Sequence, residues 1–490
     1  MKGKYGVLAG AILIQLILGT VYGYSIFWQP LDAQADLPEN QANYAFAICI
    51  LSFAVTMVLA GRIQDVTGPR LPAIVGAVLM GSGFLLAGMM QSPIVLYLSH
   101  AAFTGVVVIV LLMIFHALFS QTDRAQHPVL QYVPMGIVSS VIVAGVLLGT
   151  QYVGQLGRID RLFMLWGTVG FLAGAGIGFA YVCPIAALVK WFPASKGLVS
   201  GIAVAGFGFG AYIFASQRLP FSAENYIKAH GITQLFLVHG AVCLVAIIAG
   251  AMLLRNPPDI KQPAAKSDDS APPDPSESSW QDTLRRPAFY MLWLMFFSGS
   301  MAGLMVIGIL KPFAGSQLVT AAMAGSVSID EGLKQELLDK GVKAVGWLAV
   351  FNAVGRVAWG FFSDRIGRTS AMTAMFIFQA VMMFILAGMK TEMALAVAAS
   401  LIGFNYGGIF ALFPSATADL FGAKNLGANY GWVFTSYGIA GVVGMAAGNL
   451  AMQLTGSYTV AFLFASGLCV VSALLAIALH VTSKRQAESR

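Results

Sequence analysis

Residues 351–368 read FNAVGRVAWGFFSDRIGR and set an arginine inside a run of apolar and small residues. The acidic side chain closest along this stretch is Asp364, eight positions beyond Arg356. A guanidinium stays charged and only donates hydrogen bonds. At the centre of a bilayer it costs about 2.5–3.5 kcal/mol on insertion scales, so it must face protein interior or water. Asn352, one turn earlier, shares its helix face. The plain structural use of such a cation is an ion pair inside the membrane, or anchoring near one end of its helix. Yet the apolar helix cores expected from this sequence hold no Asp or Glu. A planar fork without a resident acid suits the carboxylate of an anionic cargo.

Four other stretches could line a path for that cargo. TVYGYSIFWQP carries Tyr22, Tyr24 and Trp28, and GAGIGFAYVCP brings Tyr181 just ahead of Pro184. GFNYGGIFALFPS puts Tyr406 and Phe410 one turn apart, and NYGWVFTSYGIAG places Tyr437 mid-segment. Aromatics at helical spacing are ordinarily core. The tyrosine bias beside glycines tilts this set toward an amphipathic cavity lining. His116 and His239 fall in or near apolar segments, where packing is the commoner role and proton coupling the rarer one. Lys311 reads as interfacial, or as a guard of the outer mouth. Cys49, Cys183, Cys243 and Cys469 lie in apolar stretches without metal-ligand spacing and read as packing residues. No metal or cofactor is expected.

The elements that must position these residues follow from composition. Of 490 residues, 58% are hydrophobic and 10% charged, whereas soluble domains carry about a quarter charged residues. Repeated apolar stretches of about 20 residues predict an all-α polytopic membrane protein with about fourteen spanning helices. The net charge of +7 comes from basic residues scattered at helix ends, with no basic stripe for nucleic acid. That distribution favours both termini in the cytoplasm, with Arg158 and Arg161 weakly opposed. Residues 255–286, rich in Pro, Ser and acidic side chains, read as a disordered cytoplasmic linker. It separates a first bundle, 1–254, from a second, 287–490. SIDEGLKQELLDK within 314–343 predicts a short surface helix capped by Ser328 or Asp330.

The two parts repeat one signature. GRIQDVTGPR at 61–70 and GFFSDRIGR at 360–368 both set Gly, three residues, Asp, two residues, Gly, then a basic residue, after the second helix of their half. The expected form is a tight turn in which the aspartate accepts from amides at a helix start and arginines pair with it or with lipid phosphates. Gly61, Asp65 and Arg70, with Gly360, Asp364 and Arg368, are thus candidate switch-loop residues. The duplication predicts two six-helix bundles moving about a central site. Eight candidate helices in the first part against six in the second leave one inserted hairpin, near 94–150.

This duplicated signature resembles that of the major facilitator superfamily. KWFPASKGLVSG at 190–201, LRRPAFYMLWLMFFSG at 284–299, FNAVGRVAWGFFSDRIGR and ALFPSATADLFGAKNLGANYGW at 411–432 are similar to its oxalate/formate antiporter family, which includes lactate and other monocarboxylate carriers. The resemblance implies that Arg356 binds a carboxylate and that Tyr24, Tyr181, Tyr406 and Phe410 line the site. It places the eleventh-helix lysine of the oxalate antiporter at Tyr437, so a second fixed cation is missing. With Asn352 beside Arg356, that implies a lactate- or pyruvate-like monocarboxylate, taken up with a proton or by exchange, in a monomer of the bacterial inner membrane. Oxalate/formate-type exchange is the alternative, and a sensor acting through 255–286 a remoter one. An enzyme is excluded by motif: no nucleophile constellation, HExxH or phosphate-binding loop is found.

Overall fold

The computed structural model describes residues 2–35, 37, 39–42, 44–92, 157–215, 219–220, 222–258, 277–324 and 330–488. Among them are twelve helices of 17 residues or more. The first six are α1 (Lys2–Leu18), α2 (Tyr44–Thr67), α3 (Arg70–Gly88), α4 (Gly174–Trp191), α5 (Lys196–Ala215) and α6 (Ile232–Leu253). The second six are α7 (Pro287–Ala324), α8 (Glu331–Ile366), α9 (Arg368–Leu386), α10 (Glu392–Phe421), α11 (Leu426–Thr455) and α12 (Thr459–Glu488). Among the described residues, eleven spans are long and apolar enough to cross a membrane, and α8, the arginine-bearing helix, is not one of them. The inserted pair expected near 94–150, with His116, lies outside the described residues.

The start of α1, the end of α12, the α2–α3 turn and the α8–α9 turn share one face of the bundle, here the terminus face. Gly68 (φ 87°) and Gly367 (φ 89°) make those two turns in the left-handed region that other residues avoid. The halves echo each other in detail. Pro184 in α4 and Pro414 in α10 each stand two turns before the helix end. Across the halves, the main packing pairs are α2 with α11 and α5 with α8. These pairs are equivalent under the repeat.

Three elements depart from the sequence reading. The polar stretch beginning at Asp330 is no separate surface helix, because it runs unbroken into the arginine-bearing helix as its first turns. Asp330 caps that helix by accepting from the Leu333 amide at 2.8 Å; Ser328 lies outside the described residues. The linker is not disordered throughout, since residues 277–286 are ordered and include a short helix, Trp280–Arg285, capped by Ser279. Beyond α1 the chain tightens into a 3₁₀ stretch, Gly19–Phe27. Tyr22 and Tyr24, two residues apart in it, face different sides.

Candidate functional site

Arg356 is wholly buried midway along the bundle. Its Nε donates to Asn352 Oδ1 at 3.1 Å, and its Nη1 donates to the Val204 carbonyl of α5 at 2.7 Å. The i, i+4 spacing read from the sequence therefore produces a direct bond. The second partner, a backbone oxygen of the other half, could not be read from side-chain types. Asn352 is held in turn by donating to the Gly403 carbonyl of α10 at 3.4 Å. Phe410 and Phe207 stand against the guanidinium, with ring centres 4.6 and 5.6 Å from Cζ. Both rings favour the cation over their faces.

The third nitrogen, Nη2, is buried and has no hydrogen-bond partner. No carboxylate pairs with Arg356 among the described residues. The buried hydroxyls of Tyr181 and Tyr430 lie near each other, and that of Tyr406 near those of Tyr22 and Tyr437, yet none of the three makes a well-formed hydrogen bond. Tyr437 bonds across the halves to Tyr22, hydroxyl to hydroxyl at 2.5 Å. Phe207 packs edge-on against Tyr22 at 4.9 Å and Tyr181 at 5.7 Å; Phe410 does the same with Tyr406 at 5.3 Å and Tyr437 at 5.5 Å. One fixed cation and several donors thus converge in a dry aromatic box. A buried donor left unmade costs about 1–3 kcal/mol, and more when charged.

The structure brings Asn352, Arg356, Tyr181, Tyr406, Phe410 and Tyr437 together. It turns Tyr24 away: that hydroxyl donates to the Ala42 carbonyl at 3.0 Å, and its ring packs on Phe27 and Phe46. Tyr22, on the other side of the same stretch, takes the place expected for Tyr24. Phe207 and Tyr430 were not singled out from the sequence; Tyr430 stood in view inside the NYG motif. His239 is boxed between Phe84 and Phe214, with Thr20 Oγ1 at 3.1 Å and Cys243 Sγ at 3.4 Å. Those contacts belong to first-half packing. The side chain of Lys311 lies outside the described residues.

The aspartates of the duplicated signature cap helices of the opposite half and not those that follow their own turns. Asp65, at the end of α2, accepts from the amides of Gly427 and Ala428 at the start of α11, at 3.1 and 2.7 Å. Asp364, at the end of α8, accepts from Gly197 and Leu198 at the start of α5, at 3.0 and 2.8 Å. A carboxylate at a helix N-terminus meets free amides and the positive end of the dipole. Gly61 and Gly360 do not form turns; they lie inside α2 and α8, where a Cβ would strike the backbone of Gly427 and Gly197. Arg368 pairs with Asp364 as expected, at 2.6 Å. Arg70 does not pair with Asp65, and its Nε donates to the Leu254 carbonyl at 2.7 Å. The terminus face is sealed by these paired contacts.

The profile of the Major Facilitator Superfamily matches residues 133–329 and 321–490. This chain belongs to that superfamily. It is a membrane transport protein and not an enzyme. Its sequence is 26% identical over 444 residues to the uncharacterized MFS-type transporter YhjX of Escherichia coli, covering 90% of this chain and 86% of that protein. It is 30% identical over 303 residues to the oxalate:formate antiporter of Oxalobacter formigenes, covering 61% of this chain and 65% of the antiporter. It is 29% identical over 354 residues to apicoplast pyruvate carrier 1 of Toxoplasma gondii, covering 62% of each. Among solved structures, the transporter FucP in its outward conformation shares the fold, with a TM-score of 0.58 at 14% identity over 96% of this chain and 97% of FucP.

Proposed function

We propose that the chain is a secondary active carrier of small carboxylates that works by alternating access and exchanges one carboxylate for another. The observation that carries this reading is Arg356 Nη2, a charged donor buried without a partner beside a cluster of phenols. A carboxylate offers that donor set two acceptor oxygens and one balancing charge. Asn352, Tyr22, Tyr181, Tyr406, Phe410 and Tyr437 then orient the cargo. The oxalate:formate antiporter and the pyruvate carrier are named for small carboxylates, and the antiporter supports exchange. Asp65 and Asp364, with the glycines and arginines around them, are the contacts that release when the terminus face opens. In this reading the carrier sits as a monomer in a bacterial inner membrane, with both termini and the 255–286 linker in the cytoplasm.

A second reading is proton-coupled uptake of a lactate- or pyruvate-like monocarboxylate. It rests on there being one arginine for one carboxylate, with neutral Tyr437 where the resemblance places a second cation. Proteoliposomes separate the two. Those preloaded with formate and offered labelled formate, oxalate, lactate or pyruvate should take up label only in exchange. Arg356→Ala should lower that flux by about 30-fold or more, the equivalent of about 2 kcal/mol or more. Uptake into empty vesicles driven by a pH gradient would favour symport. Unchanged flux in Arg356→Ala would remove the binding site argued here.

A further inference from the structure

The end of the linker, ESSWQDTLRRP at 277–287, is built onto the terminus face at one of the two gates. The Ser278 amide donates to the Phe421 carbonyl at 2.9 Å, and the Ser278 carbonyl accepts from the side-chain amides of Asn425 and Asn429, each at 3.1 Å. Glu277 Oε2 accepts from the Lys424 amide at 2.9 Å. These bonds fix the segment to the α10–α11 turn. Ser279 then starts the short helix that leads into α7, with its hydroxyl 2.6 Å from Asp282 Oδ2 and 3.2 Å from the Asp282 amide.

From this anchor the segment reaches across to the first half. Trp280 stacks on Trp432 of α11, with ring centres 6.0 Å apart and planes 22° from parallel. Arg62 of α2 stands over the same Trp280 ring at 5.8 Å. Arg62 lies one turn before Asp65, the group that holds the first amides of α11. Glu277 also interacts through space with Asp65 and with Lys190 of α4. A tryptophan clasped between a cation of one half and a ring of the other spans the seam that must part.

We propose that residues 277–286 are a latch that holds the terminus face shut by clasping α11 to α2. When α11 leaves Asp65, the Ser278 bonds travel with the α10–α11 turn, so of the segment's own contacts opening breaks the Arg62–Trp280 clasp, and it separates Glu277 from both Lys190 and Asp65. The latch therefore sets the resting balance between the two access states, and because it continues into α7 it ties that balance to the linker. The inference stands whatever the cargo is.

Amide hydrogen exchange of the purified full chain tests it, following peptides over 424–432 and 196–202. The first reports the Asp65 gate; the second reports the Asp364 gate, whose Gly197 and Leu198 amides make no bond to the segment. Trp280→Ala and Arg62→Ala should each speed exchange about two- to fivefold at both places. The double variant should add little to either, and Trp280→Phe should restore most of the protection. Faster exchange at 424–432 alone would make the segment local packing and overturn the latch. So would wild-type rates at both places, or effects of the two variants that add fully.

Discussion

The two gates on the terminus face descend from one repeated signature, yet they neutralise their aspartates differently. At the Asp364 gate, Arg368 stands 2.6 Å from the carboxylate and reaches Asp419 at 2.9 Å, while Lys196 meets Asp419 at 2.6 Å. This network is partly wet; the Asp419 side chain is 36% exposed. At the Asp65 gate the compensating cation is Lys190, 3.8 Å away, with both side chains under 10% exposed. Gln64 beside it is buried with neither amide atom partnered, and the linker's Glu277 comes close. The duplication kept the geometry of an aspartate on the opposite half's helix start. It did not keep the charges around it.

That contrast can be broken in graded steps. Asp65→Ala leaves the buried Lys190 charge with Glu277 alone to balance it and takes the acceptor from two α11 amides, and should cost roughly 3–5 kcal/mol, seen as a large fall in thermal midpoint or in folded yield. Adding Lys190→Met should recover most of the loss, as a double-mutant cycle in the same assay would show. Asp364→Ala should cost less, about 1–3 kcal/mol, because Arg368 keeps Asp419 while two backbone amides lose their acceptor. Equal costs at the two gates would refute the difference drawn here. Asp419→Asn removes half-wet ion pairs and should change the midpoint by less than about 1 kcal/mol equivalent.

The smallest effect concerns pH. The Ser279 hydroxyl, with the nearby arginines helping, holds the Asp282 carboxyl below its usual range. A group lowered by folding stabilises above its unfolded pKa and loses that contribution as pH falls through the folded value. The short helix should thus loosen only on the acid side, read as the fluorescence difference between wild type and Trp280→Phe. Asp282→Asn should flatten the dependence.

What the sequence made legible was whatever free energy forces into view. A charge in apolar sequence demands a reason, so Arg356 and its i, i+4 partner Asn352 could be named. Repeated turn chemistry exposed the duplication. What stayed hidden depended on geometry that residue types do not encode. Tyr22 and Tyr24 stand two residues apart on different sides of one helical stretch, and residue type does not say which side faces the site. Backbone acceptors such as the Val204 carbonyl leave no mark on a sequence. The reach of Asp65 and Asp364 to the other half is a tertiary fact, although the motif showed that each aspartate would meet a helix start. The ordered linker end was masked by composition, with Trp280 and Leu284 its apolar signals.

The lack of a resident carboxylate beside Arg356 among the described residues has an electrical consequence. Under the proposed function, a site that trades access between two solutions is carried through the transmembrane voltage even if the side chain barely moves. Loaded with a monoanion, Arg356 crosses neutral and feels none of it. Empty, it crosses as a single positive charge, worth about 2.3 kcal/mol per 100 mV. One-for-one exchange of monoanions would then ignore the membrane potential. A return with nothing bound would be driven inward by a negative interior and opposed on the way out.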